Sequence, residues 1–326
     1  MSIPSFSMRF AGEQGLSDGL GGYLGLGPRF GIEPGPALVR IDWGAPDIRT
    51  GEASPGLYLP DPIAETLVDW TYGVGQYAIR VLAVMPGGAR QVEHLTATIQ
   101  VNATADLILT GTRLRDFVIG GDGADTVFGG SGDDWIHGRE GADLLIGGAG
   151  DDWLWAGETD DAEDTMIGGV GNDSMAGYEG NDHLRGNTGD DALFGHGGND
   201  LLVADIGADQ LTGGPGQDRL SCGVDADSDW VYYYALDEGG DRIWDFTPGT
   251  DRMGLIFTHG LGLGLDASRF VANAAGMTDA GAWIIYNPAN GRLQVDLNGM
   301  AAGALHDIAL LVGAPALGFG DLLVYN

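Results

Sequence analysis

Thirteen aspartates in the middle of the chain limit the folds open to it more than any other feature. They are Asp116, Asp125, Asp134, Asp143, Asp152, Asp164, Asp173, Asp182, Asp191, Asp200, Asp209, Asp218 and Asp229, and ten of the twelve intervals are nine residues. Two residues after each stands an apolar side chain, from Val118, Val127 and Ile136 through Leu184, Leu193 and Leu202 to Val231. With the aspartate as position six, the apolar residue is position eight. A glycine usually occupies position one, and Gly123, Gly132, Gly141, Gly150, Gly171, Gly180, Gly189, Gly198, Gly207 and Gly216 hold position four. A disordered Gly/Asp linker would not keep this apolar phase.

The repeat predicts a glycine-rich turn of six residues and a strand of three, with only the middle strand residue pointing inward. Two repeats then make one eighteen-residue coil of a right-handed parallel roll, odd repeats building one sheet and even repeats the other. Burying one apolar side chain returns about 1.5–3 kcal/mol. Ordering nine residues of backbone costs roughly 1–2 kcal/mol for each of them. The core alone therefore cannot hold the coils, and aspartates stacked along each edge would repel. A divalent cation between successive turns answers both problems, liganded by aspartate and by carbonyls that glycine lets point inward. All-oxygen ligands on a flexible loop favour calcium over zinc, which takes His or Cys, and over magnesium, which keeps its waters.

These residues resemble the RTX (repeats-in-toxin) calcium-binding nonapeptide, Gly-Gly-x-Gly-x-Asp-x-apolar-x. Gly120–Phe128, Gly129–His137, Gly147–Trp155, Gly168–Ala176 and Gly213–Ser221 match it fully. The resemblance implies that each ion takes carbonyls from positions two and four and the aspartate of one turn. It takes carbonyls from positions one and three and the aspartate of the turn two repeats later. Carried onto this chain, the ligands are the thirteen aspartates with Gly121, Gly123, Gly130, Gly132, Gly138, Gly141, Gly148, Gly150, Gly169, Gly171, Gly180, Gly189, Gly198, Gly207, Gly214 and Gly216. On the order of 6–10 ions are expected, with extracellular-range affinities. Position two departs from the pattern at Arg139, Tyr178, Asn187, His196 and Asp205, and position one at Ala204, which predicts weaker turns there. Ala156 to Ile167 carries three extra residues, Asp160 and Asp161 among its acids, and is expected to loop out of one edge.

Before the repeats, Ser5–Phe10, Ala37–Trp43, Thr66–Tyr72, Gln76–Met85 and Gln91–Val101 alternate as in an all-β sandwich. Ile41-Asp42-Trp43-Gly44 and the run Trp70-Thr71-Tyr72-Gly73 to Val81 resemble a PKD-type immunoglobulin-like domain. Such modules act as spacers or bind protein or polysaccharide. After the repeats, strands are expected at Trp230–Leu236, Arg242–Phe246, Arg252–Phe257, Trp283–Tyr286, Leu293–Leu297 and Ile308–Val312, with a hairpin loop at Asn287–Gly291. Asp245 to Met253 resembles the D-F-x-x-G-x-D-x-I segment that closes the rolls of serralysin-like proteins. That resemblance implies an uncleaved C-terminal signal for type I secretion, and the apolar ending Asp321–Asn326 agrees with it. The chain thus reads as all-β. A PKD-like immunoglobulin sandwich is expected over 1–105, a right-handed parallel calcium-binding β-roll over 106–232 and a capping β-sheet over 233–326.

The net charge is −32, and residues 111–232 hold 26 Asp+Glu against 5 Arg. Such a surface repels phosphate backbones and anionic lipid, so nucleic acid and membrane insertion are not expected. No apolar run approaches the length of a membrane helix, and Met1 to Leu16 does not read as a cleavable signal. The single cysteine, Cys222, argues against an internal disulfide and a cysteine-ligated zinc site. The six histidines form no H-E-x-x-H helix, and no G-x-S-x-G elbow occurs, so no catalytic role is expected. His196 and the pair Glu93-His94 read as solvated rather than as ligands. The paired carboxylates Asp133/Asp134, Asp151/Asp152 and Asp190/Asp191 read as turn and ligand positions rather than acid/base pairs. The repeat phase also stacks Phe117, Trp135 and Trp153 in one outward column and Ile119, His137 and Trp155 in the next, with ordinary surface beyond. This ladder is a candidate for protein assembly, self-association or extracellular polysaccharide. The expected protein is a secreted, cell-surface or extracellular calcium-binding structural or adhesive one. The alternatives are a carbohydrate-binding module, a component of a surface layer, fibre or virion, and a hydrolase with an unrecognised site.

Overall fold

A computed structural model describes residues 106–157, 161–258, 267–271, 283–297 and 305–324, with the backbone of six strands in the first hundred residues. The chain divides into two compact units, Met1–Val101 and Asn102–Asn326.

In the first unit, Leu57–Pro60, Leu38–Trp43, Gly75–Val84 and Arg90–Ile99 form an antiparallel sheet in that order. Phe6–Arg9 pairs separately with Arg29–Ile32. Glu93 and His94 fall in the last strand of the sheet. The expected strand Thr66–Tyr72, the turn residues Gly44 and Trp70–Gly73, Asp160, His259, Tyr325 and Asn326 lie outside the described residues.

The second unit is a parallel roll of two sheets. One sheet runs from Arg115–Ile119 through Trp135–His137, Trp153–Gly157, Ser174–Glu179, Ala192–Gly197, Gln210–Thr212, Trp230–Tyr233 and Arg252–Leu255 to Leu322–Val324. The other runs from Ile108–Thr110 through Thr126–Ser131, Leu144–Ala149, Thr165–Val170, His183–Thr188, Leu201–Ile206 and Arg219–Ser221 to Asp241–Trp244. Partners are eighteen residues apart in most pairs, as Leu193 and Leu211 are. Across the three extra residues both sheets step by twenty-one, Leu145 pairing with Met166 and Leu154 with Met175. Neither sheet is interrupted.

Position eight is buried throughout, with Val127, Leu145, Leu154, Leu184, Leu202 and Val231 all at 0 % exposure. The expectation of a three-residue strand with one inward side chain is corrected in two ways. Most strands run five or six residues, because pairing continues into positions one to three, where Gly148 pairs with Gly130 and Ala149 with Ser131. Position one, two residues past position eight, also faces inward by strand alternation. It is glycine along most of the roll, with Ala156, Ala204, Cys222, Tyr233 and Leu255 buried there, while Asp245, two past Ile243, is exposed. The roll interior therefore acquires larger side chains toward its C-terminal end.

There Asp241–Trp244 pairs in parallel with Leu305–Leu311, which is followed antiparallel by Arg292–Asp296 and Trp283–Asn287. The hairpin between the last two closes through Gly291 N–H donating to the Asn287 carbonyl at 2.8 Å. The strand beginning at Arg252 ends at Leu255 rather than Phe257, because Ile256–Thr258 turns into a short 3₁₀ helix. The strand beginning at Trp230 ends at Tyr233.

Candidate metal centre

The aspartates form two buried columns, one along each edge of the roll. In the first, Asp116 N–H donates to Asp134 Oδ1, Asp134 to Asp152, Asp173 to Asp191 and Asp191 to Asp209, each at 2.7 Å except where noted below. Asp152 donates to Asp173 Oδ1 at 2.8 Å and Asp209 to Asp229 Oδ1 at 2.9 Å. In the second, Asp125, Asp143, Asp164, Asp182, Asp200 and Asp218 are linked in the same way. One carboxylate oxygen of every aspartate after Asp116 thus satisfies the backbone of the preceding coil. All thirteen are at most 3 % exposed.

The second oxygen is different. Oδ2 of Asp134, Asp152, Asp173, Asp191, Asp200, Asp209 and Asp218 is buried with no hydrogen-bond donor. A buried ionised oxygen without a partner costs far more than a hydrogen bond returns. Burial accordingly pushes these carboxyls up, Asp134, Asp191 and Asp218 to about 8 and Asp152 and Asp173 to about 7. Like charges one coil away add to the effect, as Asp152 and Asp116 do on Asp134. Except at Asp209, whose turn has Ala204 at position one, the orphaned oxygens face the position-one glycines. A Cβ at Gly129 would lie 2.5 Å from Asp134 Oδ2 and 2.6 Å from the Gly147 carbonyl, so this cradle of oxygens stays open only without a side chain. A hard divalent cation fits such a donor set and removes both the desolvation and the repulsion.

The family model of the RTX calcium-binding nonapeptide repeat, in four copies, matches residues 110–145, 137–162, 158–193, 167–202, 185–220 and 194–228. Residues 110–228 are RTX calcium-binding repeats. No curated protein was found to match the chain. Among solved structures, the AlgE6R3 subunit of the Azotobacter vinelandii mannuronan C5-epimerase is similar at 27% identity. The match covers 52% of this chain and 80% of that one, with a TM-score of 0.28.

Position two of the RTX turn decides how the carboxylate is used. At Gly130, Arg139, Gly148, Gly169, Tyr178, Asn187, His196, Asp205 and Gly214 the backbone is left-handed, with φ between 69° and 128°. These turns precede the aspartates of the inner coils, the orphaned ones among them. Thr112, Gly121 and Thr247 are not left-handed, and their N–H groups turn onto Oδ2 of Asp116, Asp125 and Asp251. Asp125 and Asp251 therefore receive a donor on each oxygen and Asp116 on Oδ2 alone, its Oδ1 being buried without one, whereas seven of the turns between leave Oδ2 open.

The five non-glycine residues at position two keep the RTX backbone at about 1–2 kcal/mol each. Their side chains offset that cost. Arg139 pairs with Asp122 at 3.0 Å, and Asp205 accepts from Arg185. Tyr178 and His196 stack with ring centroids 5.0 Å apart, and asparagine tolerates this conformation better than most residues.

Two more aspartates belong to the columns and escaped the repeat count. Asp218 N–H donates to Asp241 Oδ1 at 2.8 Å and Asp229 N–H to Asp251 Oδ1 at 3.3 Å. Their signal is an apolar residue two positions on, Ile243 and Met253, but the coils have grown to twenty-three and twenty-two residues. The neighbouring carboxylates of the pairs do separate work. Position five forms an outer ladder in which Asp151 N–H donates to Asp133 Oδ1, Asn172 to Asp151 and Asp190 to Asn172. Asp161 is exposed.

On the outer face of the first sheet, Trp135 and Trp153 stack with centroids 5.1 Å apart and planes 7° apart, and Trp155 meets both edge-on. Trp153 is 42 % exposed, while Phe117 and Ile119 are buried. The reading of ordinary surface beyond is corrected. Tyr178, Phe194 and His196 group together, and so do Trp230, Tyr232 and Tyr234; all but Tyr234, which follows the strand end at Tyr233, are on the same sheet. Tyr178 and His196 were invisible to a three-residue strand because they occupy position two, which longer strands bring onto the sheet. His196 meets aromatic rings and lies at an exposed position. Burial lowers His137 to about 4. Among the described residues, no helix is long and apolar enough to cross a membrane.

Proposed function

We propose that the chain is a secreted structural or adhesive protein whose roll folds outside the cell on calcium. The ions sit in the turns between Gly129 and Asp218, held by the orphaned aspartate oxygens and by the carbonyls of positions one to four. The observation that carries this reading is the coincidence of left-handed position-two residues with donorless Oδ2 atoms. A roll stabilised this way is extended at low cytosolic calcium and trapped by the millimolar calcium outside. Under this reading the N-terminal strands belong to a PKD-like spacer, the last ninety residues cap the roll and carry a type I secretion signal, and the chain is not an enzyme. The deciding experiment is calorimetric calcium titration with circular dichroism. Binding of several ions with a gain of β-structure supports the proposal, and an unchanged spectrum and radius in chelator refutes it.

A second reading follows from the half-exposed group of Trp135, Trp153 and Trp155, whose rings suit sugar stacking or self-association. A glycan array in calcium, with sedimentation of the same sample, separates the two.

A further inference from the structure

The C-terminal end of the first aspartate column differs chemically from the rest. Cys222 occupies position one, where most coils have glycine. By the geometry of Gly129, a side chain there heads for the aspartate oxygen of its own turn. Cys222 Sγ and one carboxylate oxygen each of Asp229 and Asp251 all lie within 4.8 Å of one another. Cys222 is at 0 % exposure, Asp229 at 2 % and Asp251 at 3 %. Next in the column is Asp209, wholly buried, with Oδ2 lacking a donor and its N–H bonded to Asp229 Oδ1. Burial, and then the charges of Asp251, Asp229, Asp245 and Asp209, push the Cys222 thiol well above its ordinary value, so that a bound cation is what favours the thiolate. Arg252 is the cation beside Asp251, but its guanidinium is hydrogen-bonded to the carbonyls of Thr250 and Asp251.

We infer that Cys222, Asp229 and Asp251 form a site for one borderline divalent metal of the zinc class, chemically distinct from the calcium turns. Sulfur is a poor ligand for calcium, which takes six to eight oxygens, and a good one for zinc or cadmium. One thiolate and two carboxylates supply the three protein ligands of an open tetrahedral site. On binding, the thiol proton passes to solvent, the sulfur becomes a thiolate ligand, and no redox change occurs. A lone cysteine suffices for such a site when carboxylates complete it. The roll supplies the other two ligands from positions seven and twenty-nine residues further along the chain.

The test uses the full chain saturated with calcium and cadmium as the probe. The expected result is one tightly bound cadmium per chain with a thiolate-to-cadmium charge-transfer band in the ultraviolet. Cys222→Ser should lose the band and bind cadmium at least about tenfold more weakly. Should that variant fail to fold in calcium, the band in the wild-type chain and its weakening in Asp251→Asn decide. Absence of the band, or cadmium bound equally by Cys222→Ser, overturns the site.

Discussion

Asp191 Oδ1 accepts the backbone N–H of Asp173 at 2.7 Å, while Asp191 Oδ2, equally buried, meets no donor at all. One carboxylate therefore serves the backbone of the coil before it and offers a charge to a cation. Asp191→Ala should remove both functions, leaving the Asp173 N–H unsatisfied at about 1–3 kcal/mol and weakening the ions on either side. Asp161→Ala, on an exposed residue, should leave calcium stoichiometry and midpoint unchanged. Calorimetry on the two variants checks the contrast, and equal effects would count against the column.

The pH dependence has a definite sign. Unfolded aspartate titrates near 3.8, and in the folded roll Asp134, Asp191 and Asp218 are raised to about 8, Asp152 and Asp173 to about 7, and Asp200 and Asp209 to about 6, chiefly by burial. A raised carboxyl does not penalise folding below its unfolded value. The penalty grows as pH rises and is complete above the folded value. In chelator the roll should therefore be better formed near the unfolded value and melt as pH rises through 6 to 8. In calcium that loss should vanish, and the calcium midpoint should rise as pH falls through the same window. Circular dichroism against pH, with and without chelator, reads both effects; a flat chelated profile would sink the argument.

Gly148 has φ of 118°, and a Cβ there would press on the Gly130 carbonyl one coil away. Gly148→Ala should cost about 1–3 kcal/mol and raise the calcium needed for folding. Asn187→Gly, in the equivalent position, should change stability by no more than about 0.5 kcal/mol, since asparagine already tolerates the conformation. Calcium-dependent urea melts of both variants test whether the turn is limited by backbone conformation.

Trp153 touches Trp135 and Trp155 but belongs to neither the core nor the turns. Trp153→Ala should leave the number of bound calcium ions unchanged while altering tryptophan fluorescence and any assembly or sugar binding. A lost ion would show that the sheet face and the turns are coupled.

The roll was legible because its period is strict. Gly189, Asp191 and Leu193 have fixed structural duties, and the same duties recur every nine residues. Legibility failed where duty and spacing separate. Asp241 and Asp251 continue the columns, but their coils are four or five residues longer than the repeat, so a fixed period passes over them. The inward direction of position one was hidden because most of its residues are glycine, which has no side chain to show a preference. Ala156, Ala204, Cys222, Tyr233 and Leu255 reveal it. The thiol site depends on residues twenty-nine positions apart and follows from coil geometry rather than from any local pattern.

The aromatic groups of the first sheet have a further consequence, which is one of parity. Trp153, His196 and Trp230 share a face because even numbers of nonapeptides separate them, each nonapeptide turning the chain through half a circuit. Excising His183–Asp191, one unit, would let every later coil stack as before yet carry Trp230, Tyr232 and Tyr234 to the opposite side from Trp153. Excising His183–Asp200, two units, would return them. Crosslinking between residues introduced beside Trp153 and Trp230 should separate the two deletions, and identical patterns would show that the coils do not keep a half-turn register. The repeat can thus lengthen or shorten freely, but any surface spanning several coils survives only changes made in pairs.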